Sequence, residues 1–367
     1  MTNHRIRVLI VDDSVVARMM LQQVIREDPQ LELVGAESNG QSALDNLDVH
    51  RPDVMILDVE MPGLSGIETV AAVRTRNARL PVIMFSSLTA TGASVTIEAL
   101  ARGASDFVTK PSQTTSPMAG LAVIREQLIP KIKSLGQASS RPPVRPLPVS
   151  GNPAPVQAAP VQASPVQASP SGQPLIELVC IATSTGGPVA LEAVLSALPV
   201  GFPVPIVIVQ HMPAFFTSQL AMRLSEKCAI RVREARSGEP LEPGTALIAP
   251  GDYHLQVRRR GTKCYTLTNS LPQENSCRPA ADVLFRSAAE EYGNQVFAVV
   301  MTGMGLDGLK GCEAIQSAGG RIVVQDEATS VIWGMPGAVA TAGLASKVLP
   351  LDRIAAEIIR TVREGRR

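Results

Sequence analysis

Two α/β domains, each built on a mainly parallel sheet and joined by a flexible tether, are what this sequence predicts. Three observations carry that prediction. Val- and Ile-rich runs bounded by turn residues alternate with helical spacings on both sides of the chain's midpoint, the pattern of buried parallel strands and their crossover helices. Residues 138–174 carry ten of the 29 prolines but no acid and no aromatic residue. A length of 367 residues, 45% of them apolar, suits two ordinary domains with a core each. With only 3% aromatic residues, those cores must be built from Val, Ile, Leu, Ala and Met.

In chain order, "IRVLIVDD", "PDVMILDVEMP", "LPVIMFSS" and "SDFVTKP" read as buried strands of the first domain, residues 1–137. Helical patterns lie between them, as where Val16, Met20 and Val24 recur at spacings of four. Tandem "PVQAA", "PVQAS" and "PVQAS" follow, in a segment that cannot bury enough apolar surface to offset its ordering entropy. Residues 138–174 are therefore a linker, which holds its two domains at an effective concentration around mM when its reach matches the span. In the second domain, residues 175–367, the strands are "LIELVCIATS", "PVPIVIVQH", "ALIAP", "QVFAVVMTG" and "RIVVQDE". "HLQVRRRGTKCYTLT" reads as a hairpin that turns at Gly261.

The totals exclude several function classes. A net charge of +1 gives no reason to expect nucleic acid or a membrane surface as partner. Cys180, Cys228, Cys264, Cys277 and Cys312 are scattered without a CxxC pair, which argues against a disulfide framework or a zinc knuckle and for reduced thiols in the cytoplasm. "MTNHRIRVLIVDD" reaches acidic residues too soon for a signal peptide, and no apolar run is long enough to span a bilayer.

Sites in parallel sheets form at the carboxyl ends of strands. There the first domain places Asp12 and Asp13, then Asp58, then Ser86 and Ser87, then Lys110 before Pro111. Converging carboxylates repel one another, and a hard divalent cation held by oxygen ligands resolves that repulsion; Mg²⁺ suits a site that also handles phosphate. "VDDS", "LDVEMPGLSG", "MFSS" and "VTKP", in this order on successive strands, resemble the receiver domain of two-component response regulators over about residues 6–130. The resemblance implies a flavodoxin-like, doubly wound sheet with Asp58 as phosphoacceptor. It implies Mg²⁺ held by Asp13, the Asp58 carboxylate and the backbone carbonyl of Glu60, with Asp12 orienting the ion. Ser86 becomes the switch hydroxyl, with Ser87 beside it as the alternative. Lys110 pairs with the phosphoryl group, and Phe107 is the aromatic that moves with the state.

At the strand ends of the second domain stand Ser184 in "IATSTGG", His211 in "IVIVQHMP" and Asp307 in "VVMTGMGLDG". A serine needs a base to act as a nucleophile at neutral pH, and the base gains from a carboxylate that fixes its tautomer. Backbone N–H groups in the glycine-rich turns supply an oxyanion site. Asp252, Asp282 and Asp326 compete with Asp307 for the third role, whereas His254, opening a hairpin strand, reads as structural. "GMGLDG" is also a literal G-x-G-x-x-G after a strand, with Asp326 and Glu327 near the spacing of a dinucleotide site, and this stands as a minor reading.

"STGGP", "QHMPAFFTSQLAMRL", "ALIAPGDYHL", "RPAADVLFRSAAE", "TGMGLDG" and "QDEATSVIWGMPGAVA" resemble the chemotaxis protein-glutamate methylesterases (CheB) over about residues 175–363. The resemblance implies a triad of Ser184, His211 and Asp307, with Met304, Gly186 and Gly187 around the oxyanion and substrate. It implies demethylation of glutamate methyl esters on methyl-accepting chemotaxis receptors, deamidation of receptor glutamines, and no cofactor for the ester reaction. It further implies a cytoplasmic enzyme phosphorylated by the chemotaxis histidine kinase (CheA) and covered by its receiver until then. Ala182 and Thr183 stand where the family has Gly-Ala before the serine. The reading from a different class is an adaptor, controlled by phosphorylation, whose hydrolase-like domain is inactive.

Overall fold

The computed structural model describes residues 5–111, 117–139, 175–364 and 366. The N-terminal domain runs β1 (Ile6–Val11), α1 (Val15–Arg26), β2 (Leu31–Glu37), α2 (Gly40–Asp45), α3 (Leu47–His50), β3 (Val54–Asp58), α4 (Gly66–Arg76), β4 (Val82–Ser86), α5 (Ala90–Ala101), β5 (Asp106–Thr109) and α6 (Pro117–Ser139). Its five strands pair in parallel in the order β2-β1-β3-β4-β5. That order reverses between β1 and β3, which is where such sheets open a crevice at their carboxyl ends. Asp12, Asp13 and Asp58 lie there.

Polar side chains punctuate this domain's helices. Ser14, Asn39, Ser65 and Thr89 each cap a helix by accepting from a backbone N–H, and Ser65 with Glu68 completes a capping box. The buried face of α1 is formed by Leu21, Val24 and Ile25. Val16 belongs to the helix, as its spacing predicts, but is 67% exposed and lies off the core stripe. Helix α6 runs through Ser139, two residues into the tether, and the tandem repeats lie outside the described residues.

The C-terminal domain runs β6 (Leu178–Thr183), α7 (Gly187–Ser196), β7 (Ile206–Gln210), α8 (Phe216–Lys227), β8 (Arg231–Glu234), β9 (Thr245–Ile248), β10 (His254–Arg260), β11 (Lys263–Asn269), α9 (Ala281–Tyr292), a 3₁₀ turn, β12 (Val296–Val300), α10 (Leu309–Ser317), β13 (Arg321–Gln325), α11 (Met335–Thr341), β14 (Lys347–Leu349) and α12 (Leu351–Glu364). Seven strands form one parallel sheet ordered β14-β13-β12-β6-β7-β9-β8, and β10 pairs with β11 as a separate antiparallel hairpin. Gly261 turns that hairpin with φ +63°. The winding reverses at β6, between β12 and β7, so the crevice opens beyond β12, β6 and β7. Those strands deliver Asp307, Ser184 and His211.

Three strands carry no apolar run and are missing from the sequence-based expectation: β2 ("LELVGAE"), β8 ("RVRE") and β14 ("KVL"). All three are sheet edges, where one side meets water and charged residues are tolerated. The interior strands β3, β4, β6, β7, β9 and β12 are buried at every residue.

Between β3 and α4 the chain packs backbone on backbone. A Cβ built on Gly66 would lie 2.3 Å from the Asp58 carbonyl oxygen. Gly66→Ala is therefore expected to destabilise the N-terminal domain by about 1–3 kcal/mol, read as a lower urea midpoint for its transition.

Candidate functional site

The sheet of the N-terminal domain ends in an acidic cluster. Asp12, Asp13 and Asp58 each present a carboxylate oxygen within 4.8 Å of the others. Lys110 Nζ lies 2.8 Å from Asp58 Oδ1 and 3.2 Å from Asp12 Oδ2. Burial raises the Asp58 pKa to about 6, with the Asp12 charge adding to the rise and the Lys110 hydrogen bond opposing it. Asp12 Oδ2 is buried and accepts no hydrogen bond, its Lys110 contact being an ion pair alone. An orphaned carboxylate oxygen beside two further carboxylates suits a hard cation, so the residues present fit Mg²⁺. The Glu60 N–H donates to Asp58 Oδ1 at 3.4 Å, which places this residue on the rim of the cluster.

Of the two serines at the end of β4, Ser86, its last residue, is the buried one. Its hydroxyl donates to the Gly92 carbonyl at 3.2 Å and accepts from Thr96 Oγ1 at 2.7 Å, so it faces α5 and makes no hydrogen bond to Asp58. Ser87 pairs with Thr89. Thr96 escaped the sequence reading because a threonine inside a helix carries no local signal of its partner.

In the C-terminal domain, Thr183 and Gln210 are register partners on β6 and β7, so Ser184 and His211 are the next residues on adjacent strands. Gln210 locks this edge. Its Nε2 donates to the Ser184 and His211 carbonyls, at 3.0 and 3.2 Å, while its Oε1 accepts from Thr183 Oγ1 at 2.7 Å. Thr183 thus ties the two strands together, and the turn accommodates Ala182 and Thr183, both buried. Gly187 leaves no room for a side chain, since a Cβ there would lie 1.9 Å from Gln210 Oε1. Its N–H donates to the Ser184 carbonyl at 2.8 Å, so it is spent inside the turn and not free for an oxyanion. Gly186 takes φ +77°, the left-handed conformation that glycine adopts without strain.

His211 Nε2 donates to Asp307 Oδ2 at 2.7 Å, which selects Asp307 over its competitors. Asp252 and Asp326 lie on other turns, where Asp326 caps Thr329. Asp282 lies beside Asp307, joined to it through Asn275. Burial by itself would lower the His211 pKa. The hydrogen bond to Asp307, the contact with the Cys277 thiol and the charges of both outweigh burial and push it up to about 10. Burial would raise the Asp307 carboxyl, but its hydrogen bond to His211 holds it below the usual range. The remaining ring nitrogen, His211 Nδ1, stands 3.6 Å from Cys277 Sγ. Ser184 Oγ makes no hydrogen bond among the described residues.

Gly303 packs on Ser184, where a Cβ would lie 2.8 Å from Ser184 Cβ. Its carbonyl and N–H are taken by Gly334, Met335 and Ile332. The G-x-G-x-x-G loop is thus closed over by residues 332–335 and by the serine turn, which disfavours the dinucleotide reading. His254 is buried, with Nε2 facing the Pro272 carbonyl at 2.9 Å and Nδ1 accepting from the Ala280 N–H, in keeping with a structural role.

The two domains meet over this crevice. Thr185 Oγ1 donates to Asp106 Oδ2 of β5 at 2.5 Å, so the hydroxyl next to Ser184 is engaged by the other domain. Phe107 stacks on Phe216 with ring centroids 4.3 Å apart and planes 9° from parallel. Ser134 of α6 donates to Met304 Sδ at 3.3 Å. Arg223 of α8 pairs with Glu98 of α5 at 2.7 Å and with Glu192 of α7 at 3.1 Å.

A receiver-like carboxylate cluster on one doubly wound sheet, set against a Ser/His/Asp cluster on another, defines a two-domain signalling hydrolase as the class. Residues 179–358 match the CheB methylesterase family and residues 8–119 the response regulator receiver domain. A protein-glutamate methylesterase/protein-glutamine glutaminase of Trichodesmium erythraeum is 47% identical over 98% of this chain and 99% of its own length. One from a Nocardioides species is also 47% identical, over 98% of this chain and 96% of its own. The crystal structure of the Thermotoga maritima CheB methylesterase catalytic domain is 42% identical with a TM-score of 0.50, covering 50% of this chain and 98% of that one. The chain belongs to the CheB family of protein-glutamate methylesterases/protein-glutamine glutaminases.

The His211–Asp307 pair predicts a pH dependence of stability. A histidine whose pKa stands above its ordinary 6.5 contributes fully below that value and loses the contribution as pH rises through about 10. Unfolding free energies of wild type and His211→Gln are expected to differ by about 3–5 kcal/mol near pH 6 and to converge toward pH 10.

Proposed function

We propose that this protein removes methyl groups from glutamate methyl esters on chemotaxis receptors, releasing methanol, and deamidates receptor glutamines through the same intermediate. The observation that carries this reading is the His211–Asp307 hydrogen bond at the strand end beside Ser184. Ser184 Oγ attacks the γ-carbonyl, and its proton passes to His211 Nδ1, the nitrogen not bonded to Asp307, which in the resting chain faces Cys277 Sγ. The Met304 N–H, which makes no hydrogen bond among the described residues, and the Gly186 turn accept the oxyanion and the substrate. The proton returns from His211 to the departing methanol, or to ammonia when the substrate is glutamine. Water then attacks the acyl-enzyme with His211 again as base, freeing a receptor carboxylate and Ser184.

The resting chain is held inactive by its own receiver. Asp106 of β5 holds Thr185 beside Ser184, Ser134 of α6 holds Met304, and α5 is tied to α8 through the Glu98–Arg223 pair. Asp58 accepts a phosphoryl group from a histidine kinase of the chemotaxis pathway, CheA, in the cytoplasm. Asp13, Asp58 and the Glu60 carbonyl, oriented by Asp12, would hold Mg²⁺, which when bound neutralises charge on the phosphoryl oxygens. Lys110 grips the phosphoryl group, and Ser86 turns from α5 toward it.

Ser184→Ala is expected to lower methanol release from methylated receptor membranes by about 10³–10⁶-fold. Retained turnover would assign the chemistry elsewhere, and wild-type chain that releases no methanol when phosphorylated would favour the adaptor. Arg223→Ala removes a cross-domain ion pair of about 1 kcal/mol or less. It should therefore raise the activity of unphosphorylated chain up to about fivefold, while fully phosphorylated chain changes little.

A further inference from the structure

Asp307 is held by four donors. Its Oδ2 accepts from His211 Nε2 at 2.7 Å and from the Ala281 N–H at 2.6 Å. Its Oδ1 accepts from the Asp282 N–H at 3.1 Å and from Asn275 Nδ2 at 2.8 Å. Two of these donors are amides at the start of α9, fixed by the helix. Asn275 is the only side chain among them besides the histidine, and it comes from a different segment.

The same Asn275 nitrogen donates to Asp282 Oδ2 at 2.8 Å. It therefore stands between two carboxylates that are each about 2% exposed or less. Such a pair repels, and a donor shared by both offsets the repulsion while fixing their separation. Asp282 is anchored in turn at its other oxygen by the Gly311 N–H at 2.6 Å. The Asn275 amide thus references the Asp307 carboxylate to both α9 and α10.

The backbone that presents Asn275 is strained. Asn275 and Ser276 take φ values of +53° and +60°, and Glu274 and Cys277 exchange both backbone hydrogen bonds, at 3.1 and 2.9 Å. This is a two-residue turn with both central residues left-handed, a conformation in which asparagine is tolerated and serine is not favoured. Arg286 on α9 clamps the turn by gripping the Glu274 carboxylate through two nitrogens, at 2.7 and 2.6 Å. Backbone strain of this kind persists where the surroundings over-determine it, and it clusters at functional sites. The next residue along, Cys277, is the one whose sulfur lies 3.6 Å from His211 Nδ1. One turn therefore touches the carboxylate and the base at once.

We propose that Asn275 is a positioning residue for the hydrolytic reaction, holding the Asp307 carboxylate in line with His211 from the Glu274–Cys277 turn. The role rests on the esterase reading given above. The Asn275 side chain makes its hydrogen bonds to Asp282 and Asp307 and none to Ser184. It acts through Asp307, on the orientation and protonation of His211. The charged and titratable groups around it are Asp282, Asp307, His211, Cys277, Glu274 with Arg286, and Lys310, whose charge acts on Glu274.

The test uses the full chain, phosphorylated, acting on methylated receptor membranes. Asn275→Ala is expected to lower kcat about 10–100-fold, the scale seen when hydrogen bonds behind a working ligand are removed. KM should stay within about twofold, and the pH profile of kcat/KM should shift because His211 loses its fixed partner. Asn275→Leu, of nearly the same size, uncharged and without a donor, gives the same readings if the alanine variant fails to fold. Asn275 is itself exposed, so solvent reaches the turn that carries it. A folded variant with unchanged kcat and pH profile would overturn the assignment. Ser184→Ala separates the two claims. If that variant is inactive while Asn275 variants match the wild type, the esterase reading stands and the role of Asn275 falls. If it is active, the esterase reading itself fails.

Discussion

The hydrogen bond from Thr185 to Asp106 is the contact on which the working of this molecule turns. It joins the residue after Ser184 to the first residue of β5, and the last residue of β5 precedes Lys110, whose ammonium is on Asp58. Strand β5 is four residues long and buried throughout. A strand so short and so packed moves as a unit or not at all. Asp58 and the serine turn are therefore linked through one short element, with Phe107 in its middle stacked on Phe216. Lys131 steadies the resting arrangement, with Nζ 2.8 Å from Asp106 Oδ1 and over the Phe107 ring. Anything that draws Lys110 toward a phosphoryl group pulls on the strand that holds the cover in place.

Both sites sit where sheet topology puts them. Each sheet reverses its winding once among the strands that carry the candidate sites, whose residues stand at the carboxyl ends of those strands or in the turns that follow. That regularity is why so much was legible beforehand. Interior strands are almost wholly apolar, so the polar residues at their ends stand out: Asp12, Asp58, Ser86, Ser184 and His211. The edge strands β2, β8 and β14 were illegible for the converse reason, since charge and exposure erase the apolar run.

What sequence could not supply was partnership across the chain. Asp307, Asp282 and Asp326 are equivalent as letters; the family resemblance points to Asp307, and the structure gives it the 2.7 Å bond to His211. Gln210 and Thr183 looked like ordinary strand residues, yet together they lock the two strands that carry Ser184 and His211. The interface was invisible residue by residue, because Asp106, Phe107, Glu98, Phe216 and Arg223 each read as part of their own domain. Gly187 shows a subtler limit: a glycine in an active-site turn suggests a free N–H, whereas its own turn uses that group.

The most direct test of the coupling through β5 is amide hydrogen exchange on the full chain, with and without phosphorylation at Asp58, following residues 106–109 and 184–187 together. The account predicts that both segments lose protection in parallel, to the same degree and over the same range of phosphodonor concentration as esterase activity rises. Full activation while the two segments keep their resting protection would contradict it.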